Sequence, residues 1–583
     1  MKRNSYLIGK AFKNYLTASV LTVAATQIAN IVDAALVGHF IGANGLAAVN
    51  LSKPIIQASF AITVLYASSG TMLTGMAIGN GNRRRANELF SIGLAAAAMF
   101  GLLLPLIGTV FFTPISELLC KSETLKPLSD EFMRITMYSL LPLVFMNTLN
   151  QYVTTDGSPR LVTRAIVVGN IVHVILDVVF MKYLNMGISG AAYSTLIMYI
   201  VCCLLLLPHF KKPNTLRPVR FSLDSTTAKS MLVIGLPLFF STVLLSVQYV
   251  CNNNITAMYH SVNGLIALAV CMQLFSFSMI ILTGTLRTIQ PIGAILKGMN
   301  DSQGILLLMK RAYRFMVICL IVYVLAIVFF PSEIAFALGA DSPEAMSVIK
   351  FALPAFSLHI LMQAMLYNLM PVYQFYGHKN IAFFLSIGQT LLPMICFWMM
   401  KGNWLGFFVG QIITAIIILI STILVRRKNN QLYPFLLIPM EPENAVFDVS
   451  MPAYPQPLHK GKGLKSLPSG GDLEEALTSQ LAELRKELTE FMRNNGATEK
   501  VVNHGALCAE ELLKNIIQHG HAHYADIKAT KDCISIHDDG RPFNPIEYSD
   551  VTGYGLLIVK GLCKDVQYKY LFNQNMTIVR LDE

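Results

Sequence analysis

Twelve stretches of the chain, near residues 15–38, 48–78, 88–112, 132–153, 162–183, 186–208, 231–258, 264–296, 312–331, 349–374, 381–400 and 403–425, are apolar enough to cross a bilayer. A spanning helix takes about 20 such residues, and hydrogen bonding within each segment is what lets its backbone leave water. The stretches form two sets of six, parted by a polar segment that includes Lys211, Lys212, Arg217 and Arg220. Most of the chain therefore folds as an all-α polytopic membrane domain of 12 transmembrane helices in two bundles. The remainder is different. Charged residues make up roughly 9% of the chain before Val425 and roughly 25% after it, the share of an ordinary water-soluble domain.

Basic residues orient the spans. With the N-terminus inside, the cytoplasmic loops hold about 19 Lys and Arg, including Arg83-Arg84-Arg85 and Lys310-Arg311, and the opposite side about seven, such as Lys121, Lys126 and Lys401. That asymmetry predicts a multi-pass protein of the cell inner (cytoplasmic) membrane, in contact with membrane lipid, with both termini in the cytoplasm. The N-terminal stretch carries Asn14, Gln27 and Asn30, which does not fit a cleaved signal. The net charge of +11 is no nucleic-acid footprint, because the part after Val425 is slightly acidic. The ten cysteines are scattered without a C-x-x-C, so neither a disulfide framework nor a zinc spacing is readable.

The two halves repeat. Asn44-Gly45-Leu46-Ala47-Ala48 recurs as Asn263-Gly264-Leu265-Ile266-Ala267 at an offset of 219, and the same offset carries Gly79 onto Gly298. A repeat of six spans keeps one orientation, so its pseudo-two-fold runs along the membrane normal and a binding site is expected between the bundles. The predicted bundles are 1–220 and 221–425. Repeated bundles around a cavity describe a carrier better than a channel or a receptor.

Two acids, Asp33 and Asp177, lie inside the spans. An acid at mid-helix costs roughly 2.5–3.5 kcal/mol on insertion scales, which makes a functional role the default reading. Both belong to the first bundle, and together they suit one cation or proton site; a structural hydrogen bond between helices is the plainer alternative. His173 lies one turn before Asp177 on the same face and suits sharing its proton, or packing alone. The offset places Asn252 opposite Asp33, so the second bundle lacks the matching acid.

Several of these runs together resemble the MATE (multidrug and toxic compound extrusion) transporters. Asn30-Ile31-Val32-Asp33-Ala34-Ala35-Leu36-Val37-Gly38, followed by Asn44-Gly45-Leu46-Ala47-Ala48-Val49, looks like their first span. Asp156-Gly157-Ser158-Pro159 resembles the loop after their fourth. Gly169-Asn170 to Leu176-Asp177 and Gly187-Ile188-Ser189-Gly190-Ala191-Ala192 resemble their fifth and sixth, and Gly235-Leu236-Pro237 and Gln290-Pro291 match the second half. The resemblance covers residues 10–425. It implies an antiporter coupled to H⁺ or Na⁺ that exports small organic, cationic compounds, with Asp33 and Asp177 in the positions of the ion-binding acids. His173 stands where the family usually has Asn, which favours protons over sodium. Related flippases of lipid-linked sugars share the architecture.

The tail begins with a Pro-rich cytoplasmic linker at 426–470. An amphipathic helix through Leu473, Leu477, Leu481, Leu484 and Leu488 follows, then a helix over 499–518 and strands at 526–530, 533–537, 566–571 and 576–581. This is one small α+β domain, 471–583. It holds no G-x-x-x-x-G-K-[ST], which argues against a P-loop motor driving transport. Glu511 and Asn515 lie four apart on one helix face, Asp538-Asp539-Gly540 follows a strand, and Gly553-Tyr554-Gly555-Leu556 opens a helix. An acid and an amide on one face can position water and Mg²⁺, and glycines before a helix let backbone N–H groups approach phosphate.

That set resembles the GHKL (Bergerat-fold) ATPases, most closely the short anti-sigma-factor serine kinases. The resemblance makes Glu511 the general base and Asn515 the Mg²⁺ ligand, gives Asp538 the adenine amino group, and sets Gly540, Gly553 and Gly555 around the phosphates. ATP and Mg²⁺ are the implied cofactors, and a cytoplasmic regulatory protein is the implied partner. Pro542 replaces the second glycine of the family's D-x-G-x-G box. Hydrolysis, transfer to a protein serine, and binding alone all fit these residues. The alternative to a regulated exporter is a membrane-anchored kinase whose membrane part senses. His519, His521 and His523 suggest a metal only weakly, with no cysteine nearby.

Overall fold

The computed structural model describes residues 3–212, 215–260, 262–338, 342–440, 446–453, 470–546 and 554–582. It divides into two compact units, Tyr15–Pro439 and Met1–Asn14 with Met440–Glu583. Among the described residues, twelve helices are long and apolar enough to cross a membrane. The first six are α1 (Tyr6–Phe40), α2 (Ala43–Gly79), α3 (Arg83–Val110), α4 (Lys126–Thr155), α5 (Pro159–Val178) and α6 (Gly187–Leu206). The second six are α7 (Ser225–Tyr259), α8 (Val262–Gly298), α9 (Ser302–Phe329), α10 (Pro343–Tyr367), α11 (Lys379–Met399) and α12 (Leu405–Lys428).

The 219-residue repeat is built into the backbone. Gly81 turns the chain with φ 71°, and its counterpart Asn300 does so with φ 54°. The next residue in each copy caps the following helix: Asn82 Oδ1 accepts the Arg85 N–H at 3.0 Å, and Asp301 Oδ1 accepts the Gly304 N–H at 2.8 Å. Gly and Asn are the residues that tolerate the left-handed turn, and Asn and Asp are the strongest N-caps. Gly79 and Gly298 meet where α2 packs on α8. A Cβ on Gly79 would overlap the Ile295 carbonyl oxygen, and one on Gly298 the Met76 carbonyl oxygen. Met76 and Ile295 are themselves 219 apart. The two contacts are images of each other, the self-complementary pattern of a two-fold axis, so the pseudo-two-fold of the bundles passes between α2 and α8.

The second unit folds on a five-stranded antiparallel sheet in the order β1-β2-β3-β5-β4. Its strands are β1 (Phe447–Pro452), β2 (Tyr524–Ala529), β3 (Cys533–Asp538), β4 (Cys563–Leu571) and β5 (Gln574–Leu581). Helices α13 (Gly470–Asn494) and α14 (Glu499–Asn515) cover one face, with Leu484, Leu488, Met492, Leu512 and Leu513 in a core with Ile527, Ile534, Ile536 and Val579. A shorter helix, α15 (Tyr554–Leu562), precedes β4. The α14 helix gives way to a π-turn at Ile516–Gly520, so the regular helix is shorter than its sequence pattern predicts.

One expectation is corrected. Within the 426–470 segment read as linker, Phe447–Pro452 is an edge strand paired with β2 from Phe447↔Ala529 to Pro452↔Tyr524. Alternate residues Phe447, Val449 and Met451 are buried in the core, and a period-two pattern is what a half-covered strand requires. The proline count around it conceals the pattern, and Pro452 is tolerated because it closes an edge strand. Residues 441–445 and 454–469 of that segment lie outside the described residues.

Candidate functional sites

In the membrane unit, Asp33 on α1 and His173 and Asp177 on α5 converge, each offering a ligand atom within 4.8 Å of the others. Among the described residues it is the only such group of three or more metal-capable side chains. Local sequence explains the placement. Asp177 sits at the end of α5, just before a π-turn at Val179–Tyr183, the kind of helix irregularity that recurs at functional sites. Gly190 on α6 lets that helix close on the turn: a Cβ there would lie 2.9 Å from Phe180 Cβ. One turn further along α6, Ser194 Oγ donates to Asp177 Oδ1. His173 Nε2 lies 3.0 Å from Thr195 Oγ1 and 3.6 Å from Asp177 Oδ2, outside hydrogen-bond range of the acid.

Asp177 is fully buried, and its Oδ2 has no hydrogen-bond partner. A buried carboxylate oxygen left without a donor is costly, and a proton or a small cation would satisfy it. Carboxylate and hydroxyl oxygens suit a hard cation, and a histidine in the set suits a proton. Ser194 and Thr195 escape sequence reasoning because hydroxyls are common in apolar helices, where they bond to their own backbone. The small residues Gly187 and Gly190 are the one signal that α6 approaches closely.

In the C-terminal unit, Glu511 on α14 lies directly against Gly555 on α15, where a Cβ would overlap Glu511 Oε2. Lys514 Nζ is 3.2 Å from Glu511 Oε1 and 2.8 Å from Glu510 Oε1. Asn515 Nδ2 donates to the Glu511 carbonyl at 2.9 Å, within its own helix; its side-chain oxygen is the atom that would face a cation. Gly553 lies outside the described residues.

Asp538 closes β3 and is buried. Its Oδ1 accepts the Gly540 N–H at 2.9 Å and Asn575 Nδ2 at 2.8 Å. Gly540 is required at its position, since a Cβ would overlap the Gly520 carbonyl oxygen, while the Arg541 N–H donates to that same oxygen at 2.8 Å. Asn575 also donates to the Arg541 carbonyl at 2.9 Å and accepts the Phe543 N–H at 3.1 Å, so one amide on β5 fixes the whole Asp538–Phe543 loop. Nothing in the sequence near Asn575 announces this. His523 Nδ1 lies 3.0 Å from Asp539 Oδ2, so this histidine serves the same loop. The residues fit a nucleotide: glycines where side chains would block the backbone, an acid beside one of them, and a buried carboxylate for an amino group.

Burial pushes the Asp538 carboxyl up to about 6, against the bonds from Asn575 and Gly540, which favour its charge. A folded value above the ordinary 3.8 means that the folded state holds this proton more tightly than the unfolded chain. The associated stability is fully present below pH ~4 and is lost as pH rises through ~6. Asp538→Asn is therefore expected to raise the unfolding midpoint of the tail at pH 7.5, by up to about 3 kcal/mol in stability, with the gain vanishing near pH 4. If Asp538 receives the adenine amino group, the same variant loses ATP affinity. Thermal unfolding and nucleotide titration of the full-length protein read the two opposite signs.

Comparison with known proteins finds one family match within each unit. The MatE family matches residues 18–179, and the histidine kinase-like ATPase domain matches residues 474–582. A probable multidrug resistance protein of Bacillus subtilis, YoeA, is 22% identical over 283 residues, covering 45% of this chain and 60% of its own length. The multidrug export protein MepA of Staphylococcus haemolyticus is 22% identical over 289 residues, covering 49% of this chain and 64% of its own. The chain thus spans about 60% of the length of these curated relatives. Among solved structures, a MOP superfamily transporter from Pyrococcus furiosus superposes with a TM-score of 0.64 at 18% identity, over 72% of this chain and 97% of that one. At that identity the likeness establishes the fold.

Proposed function

We propose that this chain, which carries a MatE domain at residues 18–179 and a histidine kinase-like ATPase domain at 474–582, is a cation-coupled exporter of small organic cations regulated by nucleotide. The observation that carries the reading is the meeting of Asp33, His173 and Asp177 around an unsatisfied buried carboxylate oxygen. The multidrug names of the relatives support the substrate class. In this reading, both termini face the cytoplasm of the inner membrane. A proton or Na⁺ entering the Asp33–Asp177 group changes which arrangement of the two bundles is favoured, and the substrate moves the other way across the pseudo-two-fold. In the same reading Asp538, Asn515 and the glycine backbone would hold ATP and Mg²⁺, and Glu511 would serve as the general base.

Reconstituted full-length protein tests this. A cationic dye is expected to be exported under an imposed pH or sodium gradient, with ATP altering the rate, and Glu511→Ala is expected to remove any part of that effect that needs hydrolysis while leaving ATP bound. Failure of export under every gradient sinks the antiporter. A second reading, a membrane-anchored serine kinase, draws on the direct packing of Gly555 on Glu511. Intact ATP binding without export, together with phosphate transfer to a protein serine, would select it.

A further inference from the structure

The first residues of the chain fold with the ATPase-like unit. Arg3 Nη1 lies 3.1 Å from Asp448 Oδ2 on β1, and its Nε 3.5 Å from Asp526 Oδ2 on β2. The Asn4 N–H donates to Ser450 Oγ at 2.9 Å, and Gln574 Nε2 donates to the Leu7 carbonyl at 2.7 Å. Tyr6 packs on Tyr524 with ring centroids 4.9 Å apart. Lys10 Nζ reaches Asp539 Oδ2 at 2.7 Å, and Asp539 is fully buried. Burial opposes the Asp539 charge, but Lys10 and the N–H groups of His523 and Tyr524 outweigh it and hold the carboxyl below its ordinary range. Ion pairs this buried differ from exposed ones, because removing one partner strands the other's charge.

The positions of these anchors on the sheet give them meaning. Asp538 and Asn575 are ladder partners, and their side chains bond to each other in the candidate nucleotide pocket. Their immediate neighbours, Asp539 and Gln574, reach Lys10 and Leu7. Successive side chains of a strand point to opposite faces, so the same two strand ends read the pocket on one side and the N-terminal segment on the other. We propose that the ends of β3 and β5, with the β1–β2 edge, form a docking surface for residues 3–10 of this chain, and that nucleotide in the Asp538 pocket strengthens that docking. The inference rests on the reading of the unit as a nucleotide-binding domain. Residues 6–10 are the start of α1, the helix that carries Asp33, so the docking gives the nucleotide a handle on the cation site. An adenine amino group on Asp538 adds a bond at the same strand ends that hold Lys10 and Leu7 through Asp539 and Gln574, so the two binding events share one structural element and are positively coupled through it.

Reciprocity supplies the test: if nucleotide tightens docking by some factor, loss of docking weakens nucleotide by the same factor, typically about 5- to 150-fold. Full-length protein is followed by amide hydrogen exchange over residues 4–12 with and without a non-hydrolysable ATP analogue, and the analogue's affinity is measured for wild type, Arg3→Ala with Lys10→Ala, and Lys10→Arg. The expected result is slower exchange with the analogue, an affinity loss of matching factor in the double variant, and near-wild-type affinity in Lys10→Arg. Normal analogue binding with unchanged exchange, or wild-type affinity in the double variant, overturns the coupling. Absence of analogue binding in the wild type overturns the nucleotide reading and the coupling with it.

Discussion

Asp177→Asn reconstituted in vesicles is expected to reduce gradient-driven export to background while making the protein more resistant to thermal unfolding. The two effects have one cause. Asp177 is fully buried, with Ser194 on one oxygen and no partner on the other. The amide keeps the Ser194 bond through its oxygen and removes a buried charge, which favours the folded state. An amide takes up no proton and holds a cation far more weakly, so coupling is lost. Asp33→Asn is expected to abolish export as well, with little change in stability, because Asp33 is only half-buried. A structural role for these acids makes the opposite prediction, with wild-type export in both variants. His173→Asn, which replaces a ring that can take up a proton by an amide that cannot, is expected to retain export and to shift its dependence from pH toward sodium; an unchanged ion dependence would exclude His173 from the choice of ion.

The parts of this molecule that local chemistry dictates were readable in the chain. Apolar length marks the twelve helices, and the cost of an acid in lipid singles out Asp33 and Asp177. Helical spacing then adds His173. In the tail, Glu511 and Asp538 stand out in the sequence because their neighbours are the glycines and amides on which the ATPase resemblance rests. What escaped depends on partners distant in sequence. Lys10 and Asp539 are 529 residues apart, and no spacing relates them. Asn575 is an unremarked strand residue until β5 is known to lie beside β3. Strand Phe447–Pro452 has too few residues to outweigh the prolines around it. Ser194 becomes informative only when the closeness of α5 and α6 is known, which Gly190 permits but does not announce.

Gly79→Ala and Gly298→Ala are expected to have the same large effect on transport although 219 residues separate them. Each added methyl overlaps a backbone carbonyl oxygen, Ile295 for one and Met76 for the other. Backbone cannot swing aside as the end of a flexible side chain can, so α2 and α8 must part where the two bundles touch. Overpacking of this kind costs typically about 1–3 kcal/mol, which shifts a two-state equilibrium by roughly 5- to 150-fold. The cost falls on the arrangement in which α2 and α8 are closed at this point and spares any arrangement in which they are apart there. Both variants are therefore expected to insert and fold, to populate the separated arrangement, and to export poorly because the cycle cannot return through the closed one. Spin labels at Asn80→Cys and Met299→Cys, the residues that follow the two glycines, read the separation directly. The distance distribution is expected to move outward in either variant by a similar amount, as the two-fold relation of the contacts requires. Unchanged distances with wild-type export in both would mean that the closed contact is no part of the transport cycle. An effect from only one of the two would mean that the pseudo-symmetry does not extend to the motion.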